Sequence, residues 1–210
     1  MKKIKMQSKL KNIMFQYISN NSKEYILVLI IFIIGIFAGV MFINNCSEEQ
    51  ENEITTYISE FTQKFKSIEK VDKASLVTQS VKNNTLLAII IWLAGTTIVG
   101  IPIVLGIILF RGFCLGYTVS AITYSLGMPK CIIFCIVAIL LQNILFIPAL
   151  LTMGVSSVKL YKAIINDRRK ENIKIEIIRH TIISILMLIV MLIASFIENQ
   201  ISVSLLKLTI

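Results

Sequence analysis

GTTIVGIPIVLGIILFRGFCLG, residues 95–116, lies inside a long apolar block and yet holds five glycines, a proline and an arginine. Proline lacks the amide hydrogen that a helix interior needs, and glycine loses the most backbone freedom on ordering, so Gly100 and Pro102 interrupt a helix rather than continue one. Lipid accepts only helices and closed barrels, so irregular backbone here must be packed in protein or lie near the interface. The apolar block runs from residue 86 to 126, about twice the roughly 20 residues that one span needs. The stretch is therefore the pivot between two membrane passes, with Gly95, Gly100 and Pro102 making the break. Arg111 is expected at the cytoplasmic face, beside the point where the chain turns back.

The composition supports this reading. A chain of 210 residues that is 56% hydrophobic and 16% charged, with mean hydropathy +0.80, has too little polar surface to cover a soluble domain. A net charge of +9 would point to nucleic acid in a soluble protein. Here the basic residues gather beside apolar runs, no aromatic and basic interleaving is visible, and nucleic-acid binding is set aside. The four cysteines, Cys46, Cys114, Cys131 and Cys135, do not form a metal or disulfide framework. Cys46 follows the first apolar run, but Asn44 and Asn45 replace the small residues that lipidation requires. No cofactor and no metal is expected.

Charge along the chain sets the topology. Residues 1–24 carry six lysines and one acid, Glu24, and are expected in the cytoplasm, with Met6, Leu10, Ile13, Met14, Tyr17 and Ile18 on a stripe that suits membrane lipid. Residues 25–43 hold no charge and form the first span. Its Gly35-x3-Gly39 face leaves room for a second helix, which a homo-oligomer could supply. Residues 44–84 hold seven acids and five bases and are read as external. Within them Ile54, Tyr57, Ile58, Phe61, Phe65 and Ile68 recur at spacings of three and four, the period of an amphipathic helix over residues 50–70. Residues 85–155 form a three-span core around the break, in which Gly112 and Gly116 give another close-approach face and Trp92 packs between helices. Residues 156–180 hold seven bases and three acids and form a second cytoplasmic segment, with His180 as an interfacial residue at its edge. Residues 181–197 are the last span, and 198–210 an external tail. The predicted fold class is all-α: a polytopic membrane protein with five transmembrane helices, a cytoplasmic N-terminus, an external C-terminus and an external amphipathic helix.

Between Thr85 and Asn166 there is no Asp, Glu or His. Intramembrane carboxylate proteases, zinc proteases and proton relays all need such groups, and a serine nucleophile needs a base at depth, so no enzyme is expected. The intramembrane amides Gln142 and Asn143 require hydrogen-bond partners, and the carbonyls freed at the Gly100 to Pro102 break are the proposed acceptors. Pro148 follows on the same span. Two function classes remain: a scaffold, or a channel or transporter of small solutes using the broken second span.

The basic start, single span, helical external loop, Asn83-Asn84, Gly100-Ile-Pro102, Arg111-Gly-x3-Gly116, and Gln142-Asn-x4-Pro148 followed by Gly154 together resemble the stage II sporulation protein M family of endospore-forming bacteria. The resemblance covers nearly the whole chain in order and spacing. It implies a non-enzymatic membrane scaffold for engulfment, in the mother-cell membrane at the sporulation septum. The implied partners are the cell-wall hydrolases named stage II sporulation proteins D and P. The stripe of Tyr57, Ile58, Phe61 and Phe65 is the expected docking face for them.

Overall fold

The computed structural model describes residues 18–67, 73–127, 141–166 and 170–209. The described residues hold six long helices and no strand: α1 (Ser22–Asn44), α2 (Glu48–Ser67), α3 (Lys73–Gly95), α4 (Gly100–Leu126), α5 (Leu141–Asn166) and α6 (Lys170–Thr209). The N-terminal lipid stripe up to Tyr17, the turn at Met128 to Lys130 and the pair Cys131 and Cys135 lie outside the described residues.

Local chemistry fixes where these helices start and stop. The carbonyls at the end of α1 are taken up by the Asn45 backbone and by Asn45 Nδ2, which donates to the Met41 carbonyl at 2.7 Å. Ser47 and Gln50 then form a reciprocal cap that starts α2: the Ser47 N–H donates to Gln50 Oε1 at 3.1 Å and the Gln50 N–H to Ser47 Oγ at 3.4 Å. The glycine break is a turn over residues 96–99. Thr96 Oγ1 donates to the Leu93 carbonyl at 2.7 Å and Thr97 Oγ1 to the Ala94 carbonyl at 3.0 Å, while Thr97 Oγ1 accepts the Gly100 N–H at 3.0 Å. A Cβ on Gly100 would collide with the Ala94 carbonyl, so only glycine closes this turn. Pro102 falls in the first turn of α4, where a missing N–H costs nothing.

Helices α1 and α4 run in the same direction with their backbones in contact. Gly35 and Gly39 of α1 meet the carbonyls of Leu109 and Phe113, and Gly112 and Gly116 of α4 meet the carbonyls of Phe32 and Ile36. Residue numbers rise together on both helices, which makes the pair parallel. The Gly35 and Gly39 face, expected to be open to a second copy, is thus occupied within the chain. Phe42 packs edge-on to Phe113 beyond the glycines, with ring centroids 5.8 Å apart.

Helix α5 is the hub. Within the membrane-length helices its apolar window is 56% buried, against 22–28% for the other three, and α1, α3, α4 and α6 all pack on it. Phe146, Ala149, Leu150, Met153 and Val155 join Val28, Ile91, Ile108 and Met191 in one core. Gly154 admits Ile108 and Val28 against the α5 backbone.

Four described helices are long and apolar enough to cross a membrane, Ser22–Asn44, Gly100–Ser125, Asn143–Ile165 and Ile173–Ile197. Helix α3, which carries the expected second span, is not among the four. Its continuous apolar run covers residues 86–95, about 15 Å at 1.5 Å per residue, half of the ~30 Å hydrocarbon core. Two further expectations change. Residues 156–180, read as a loop, are helical as far as Asn166 and again from Lys170, because Lys159 and Lys162 sit on a helix whose other face is buried through Val158 and Leu160. The segment 198–209, read as a separate tail, continues α6 without interruption.

The glycine contacts predict a stability pattern. Gly35→Val and Gly112→Val should each destabilise the chain by about 1–3 kcal/mol in detergent unfolding, the usual cost of overpacking. Gly106→Val should leave stability unchanged or raised, since nothing lies within 4 Å of an added Cβ there. Equal effects at all three positions would contradict the parallel glycine contact.

Candidate functional site

Two polar features stand among the helices. The first joins α3, α5 and α6. Ser156 Oγ is 3.0 Å from His180 Nδ1, and His180 Nε2 is 3.3 Å from the Trp92 carbonyl. A carbonyl can only accept, so Nε2 carries the hydrogen and Nδ1 accepts from the Ser156 hydroxyl. Trp92 Nε1 donates to Thr181 Oγ1 at 3.2 Å, which confirms Trp92 between helices. Gly95 leaves the space: a Cβ there would collide with Ser157 Oγ and crowd the His180 ring. Further along the same helices, Asn84 Nδ2 donates to Ser195 Oγ at 2.7 Å. These pairs place α3 antiparallel to α6.

His180 was expected as an interfacial residue, and it is instead 1% exposed with Ser156 at 4%. The run of charges before it reads as cytoplasmic loop, yet α6 begins ten residues earlier and carries His180 inward against α5. The serine and histidine have the hydrogen-bond geometry of a nucleophile and base. At that burial no substrate reaches the hydroxyl unless helices part, so the arrangement acts as a clasp. The Ser156-Ser157 pair was the sequence signal for it, two adjacent hydroxyls on a helix otherwise apolar at that level. Among the described residues no three His, Cys, Asp or Glu side chains come together as a metal site.

The second feature is a cavity of about 200 Å³ lined by Phe32 of α1, Arg111, Cys114 and Thr118 of α4, and Asn143 and Phe146 of α5. The Arg111 guanidinium carbon stands 5.1 Å from the centre of the Phe146 ring. The turn is complete by Val99, and Arg111 follows Gly100 by eleven residues, about 16 Å along the axis. It therefore lies near the middle of α4 and not at the turn where it was expected. An arginine at mid-span costs about 2.5–3.5 kcal/mol on insertion scales, more than the ~0.5–2 kcal/mol of a cation–π contact.

The remaining sequence-predicted positions divide between these features and the helix seams. Gly112 and Gly116 hold the α1 and α4 contact, and Gly95, Gly100 and Pro102 hold the turn. Gly100 and Asn143 do not face each other: Asn143 shares its cavity with Arg111 and Thr118, well up the helix from Gly100. The expected clasp between the break and the amides is replaced by local threonine bonds at the turn, which take up its carbonyls. The Gln142 side chain lies outside the described residues. Pro148 is inside α5 and exposed, where it borders an apolar groove with Ile144 and Leu186. On α2, Tyr57 is 73% exposed and Ile58 is half-buried, and the side chains of Phe61 and Phe65 are outside the described residues. Helix α2 is tied to the far end of α4 by a bond from the Tyr124 hydroxyl to the Glu51 carboxylate.

Apolar helices of spanning length, joined by glycine contacts and by bonds between hydroxyl, amide and imidazole groups, define a multi-pass α-helical membrane protein. Stage II sporulation protein M is the family whose model matches, over residues 28–203, and the chain belongs to that family. No curated protein and no solved structure gives a significant match to the chain.

The bond between Asn84 and Ser195 can be measured. A double-mutant cycle with Asn84→Ala and Ser195→Ala should give a coupling of about 0.6 kcal/mol, and no more than about 1.7, the range for interhelical bonds in membranes. Additive effects would place the two side chains apart.

Proposed function

We propose that the chain is a non-enzymatic scaffold that holds peptidoglycan hydrolases at the sporulation septum, in the mother-cell membrane, during septal wall thinning and engulfment. Family membership and multi-pass character support a sporulation membrane role. The observation that carries the scaffold reading is the pairing of an inert core with a presented helix. In the described core Asn84 is tied to Ser195 and Ser156 to His180, while α2 stands at the end of α4 with Tyr57 exposed.

In this reading the chain crosses five times. Parallel α1 and α4 require a return pass between them, and α3, antiparallel to α6, provides it. The Asn84 amide is buried and bonded to Ser195, so that pass can extend beyond its ten apolar residues. The basic N-terminus and the turn at residues 96–99 then face the cytoplasm, and α2 and the C-terminus face outward. The implied partners are stage II sporulation proteins D and P, docking on the α2 face that includes Tyr57, Ile58, Phe61 and Phe65.

Two measurements test this. Tyr57→Glu combined with Phe61→Glu and Phe65→Glu should cut recovery of the two hydrolases with the tagged chain by about tenfold, with membrane insertion unchanged. Unchanged recovery would move docking to the spans. In a chain with Cys46→Ser, Cys114→Ser, Cys131→Ser and Cys135→Ser, an impermeant maleimide applied from outside should label Ser59→Cys and spare Val99→Cys, although Val99 is 80% exposed. Labelling of both would overturn the orientation. The rival reading, a channel or transporter of small solutes, draws on the Arg111 and Asn143 cavity and requires vesicle flux that falls in Arg111→Gln.

A further inference from the structure

We infer that the cavity at Arg111 receives a transmembrane helix of a partner protein, through an aspartate or glutamate carboxylate carried at the middle of that helix. The inference does not depend on which proteins dock on α2.

Charge is the first support. The cavity is bounded by α1, α4 and α5. Residues 25–47 and 85–166 contain no Asp or Glu, and the one acid at the start of α1, Glu24, pairs with Lys162 at 2.7 Å. The helices around the cavity therefore supply Arg111 with an aromatic face and no anion. A guanidinium binds a carboxylate through two parallel hydrogen bonds, the strongest neutralisation a side chain can offer it.

Depth selects the kind of anion. Arg111 lies about 16 Å from the start of α4, near mid-span, whereas lipid phosphates lie at the surface of a hydrocarbon core about 30 Å thick. A carboxylate on a spanning helix arrives at that depth without thinning the bilayer. The cavity also has the right size, since about 200 Å³ accommodates one acidic side chain and not a folded segment. Thr118 and Asn143 border it and give a carboxylate polar surroundings in place of lipid.

Cys114 lines the cavity and is a free thiol, which makes the test direct. The full chain, with Cys46→Ser, Cys131→Ser and Cys135→Ser, is reconstituted in phosphatidylcholine vesicles with a synthetic leucine-rich transmembrane peptide. The peptide carries Asp at its centre and a cysteine one turn away, and disulfide formation with Cys114 is followed. The Asp peptide should crosslink about tenfold more than the same peptide with Leu at the centre. Arg111→Leu should remove that preference and Arg111→Lys should keep most of it. Arg111→Glu should crosslink a peptide with Lys at the centre, a gain that a misfolded variant cannot show. Equal yields for the Asp and Leu peptides, or a preference that survives Arg111→Leu, would overturn the inference. So would displacement of the Asp peptide by phosphatidylglycerol together with Arg111-dependent retention of that lipid, which would assign the cavity to a phosphate. The peptide contains no hydrolase, so failure of docking on α2 leaves these outcomes unaffected.

Discussion

The contact on which the rest of the structure depends is that of the α1 backbone with the α4 backbone. In lipid there is no hydrophobic drive to bring two apolar helices together, so association rests on close packing and on bonds between helices. Gly35, Gly39, Gly112 and Gly116 let carbonyl groups approach the facing Cα atoms, and any larger side chain would hold the helices apart. Once α1 and α4 are fixed side by side in the same direction, the chain between them must return. That return is made by α3, and the short turn at residues 96–99 connects it to the start of α4.

The other seam is built by different chemistry. Helices α3, α5 and α6 meet through Asn84 and Ser195, Trp92 and Thr181, and Ser156 and His180. Hydroxyls along these helices also satisfy their own backbones, as Ser157 does with the Met153 carbonyl and Ser195 with the Met191 carbonyl. Close packing alone tolerates a helix sliding by one turn if small residues recur. Hydrogen bonds between particular side chains do not tolerate it, because the slip strands polar groups in lipid. The glycine seam thus sets distance and direction, and the polar seam sets register.

This division explains what could be read from sequence. The glycine pairs and the break at Gly100 and Pro102 are strong local signals, since each answers a steric demand that other residues cannot meet. The polar segment after α1 was legible as a helix from its apolar period, and Ser47 and Gln50 mark its start as a capping pair. What was not legible depends on which helices meet. His180 read as an edge residue because its own segment is basic, and only the packing of α5 against α6 shows it buried. Asn143 read as a partner for the break because both are unusual in lipid. The antiparallel register of α4 and α5 brings it to Thr118 and Arg111 instead. Arg111 itself was read beside the turn, and the turn falls at residues 96–99, which puts the arginine eleven residues further along α4.

That displacement changes the meaning of the residue. At a cytoplasmic edge an arginine is an anchor, its charge hydrated and its stem lying along apolar surface. At mid-span the same side chain carries a cost of several kcal/mol that a ring contact with Phe146 does not offset. The helix that carries it is held by backbone contact with α1, and Val104 and Ile108, in the two turns before the charge, are wholly buried. A helix bundle has little means to select a partner within the membrane by apolar contact, since lipid offers the same contact. A deep cation facing a cavity, without an acid on the helices around it, is a feature that lipid tails cannot satisfy and a carboxylate can.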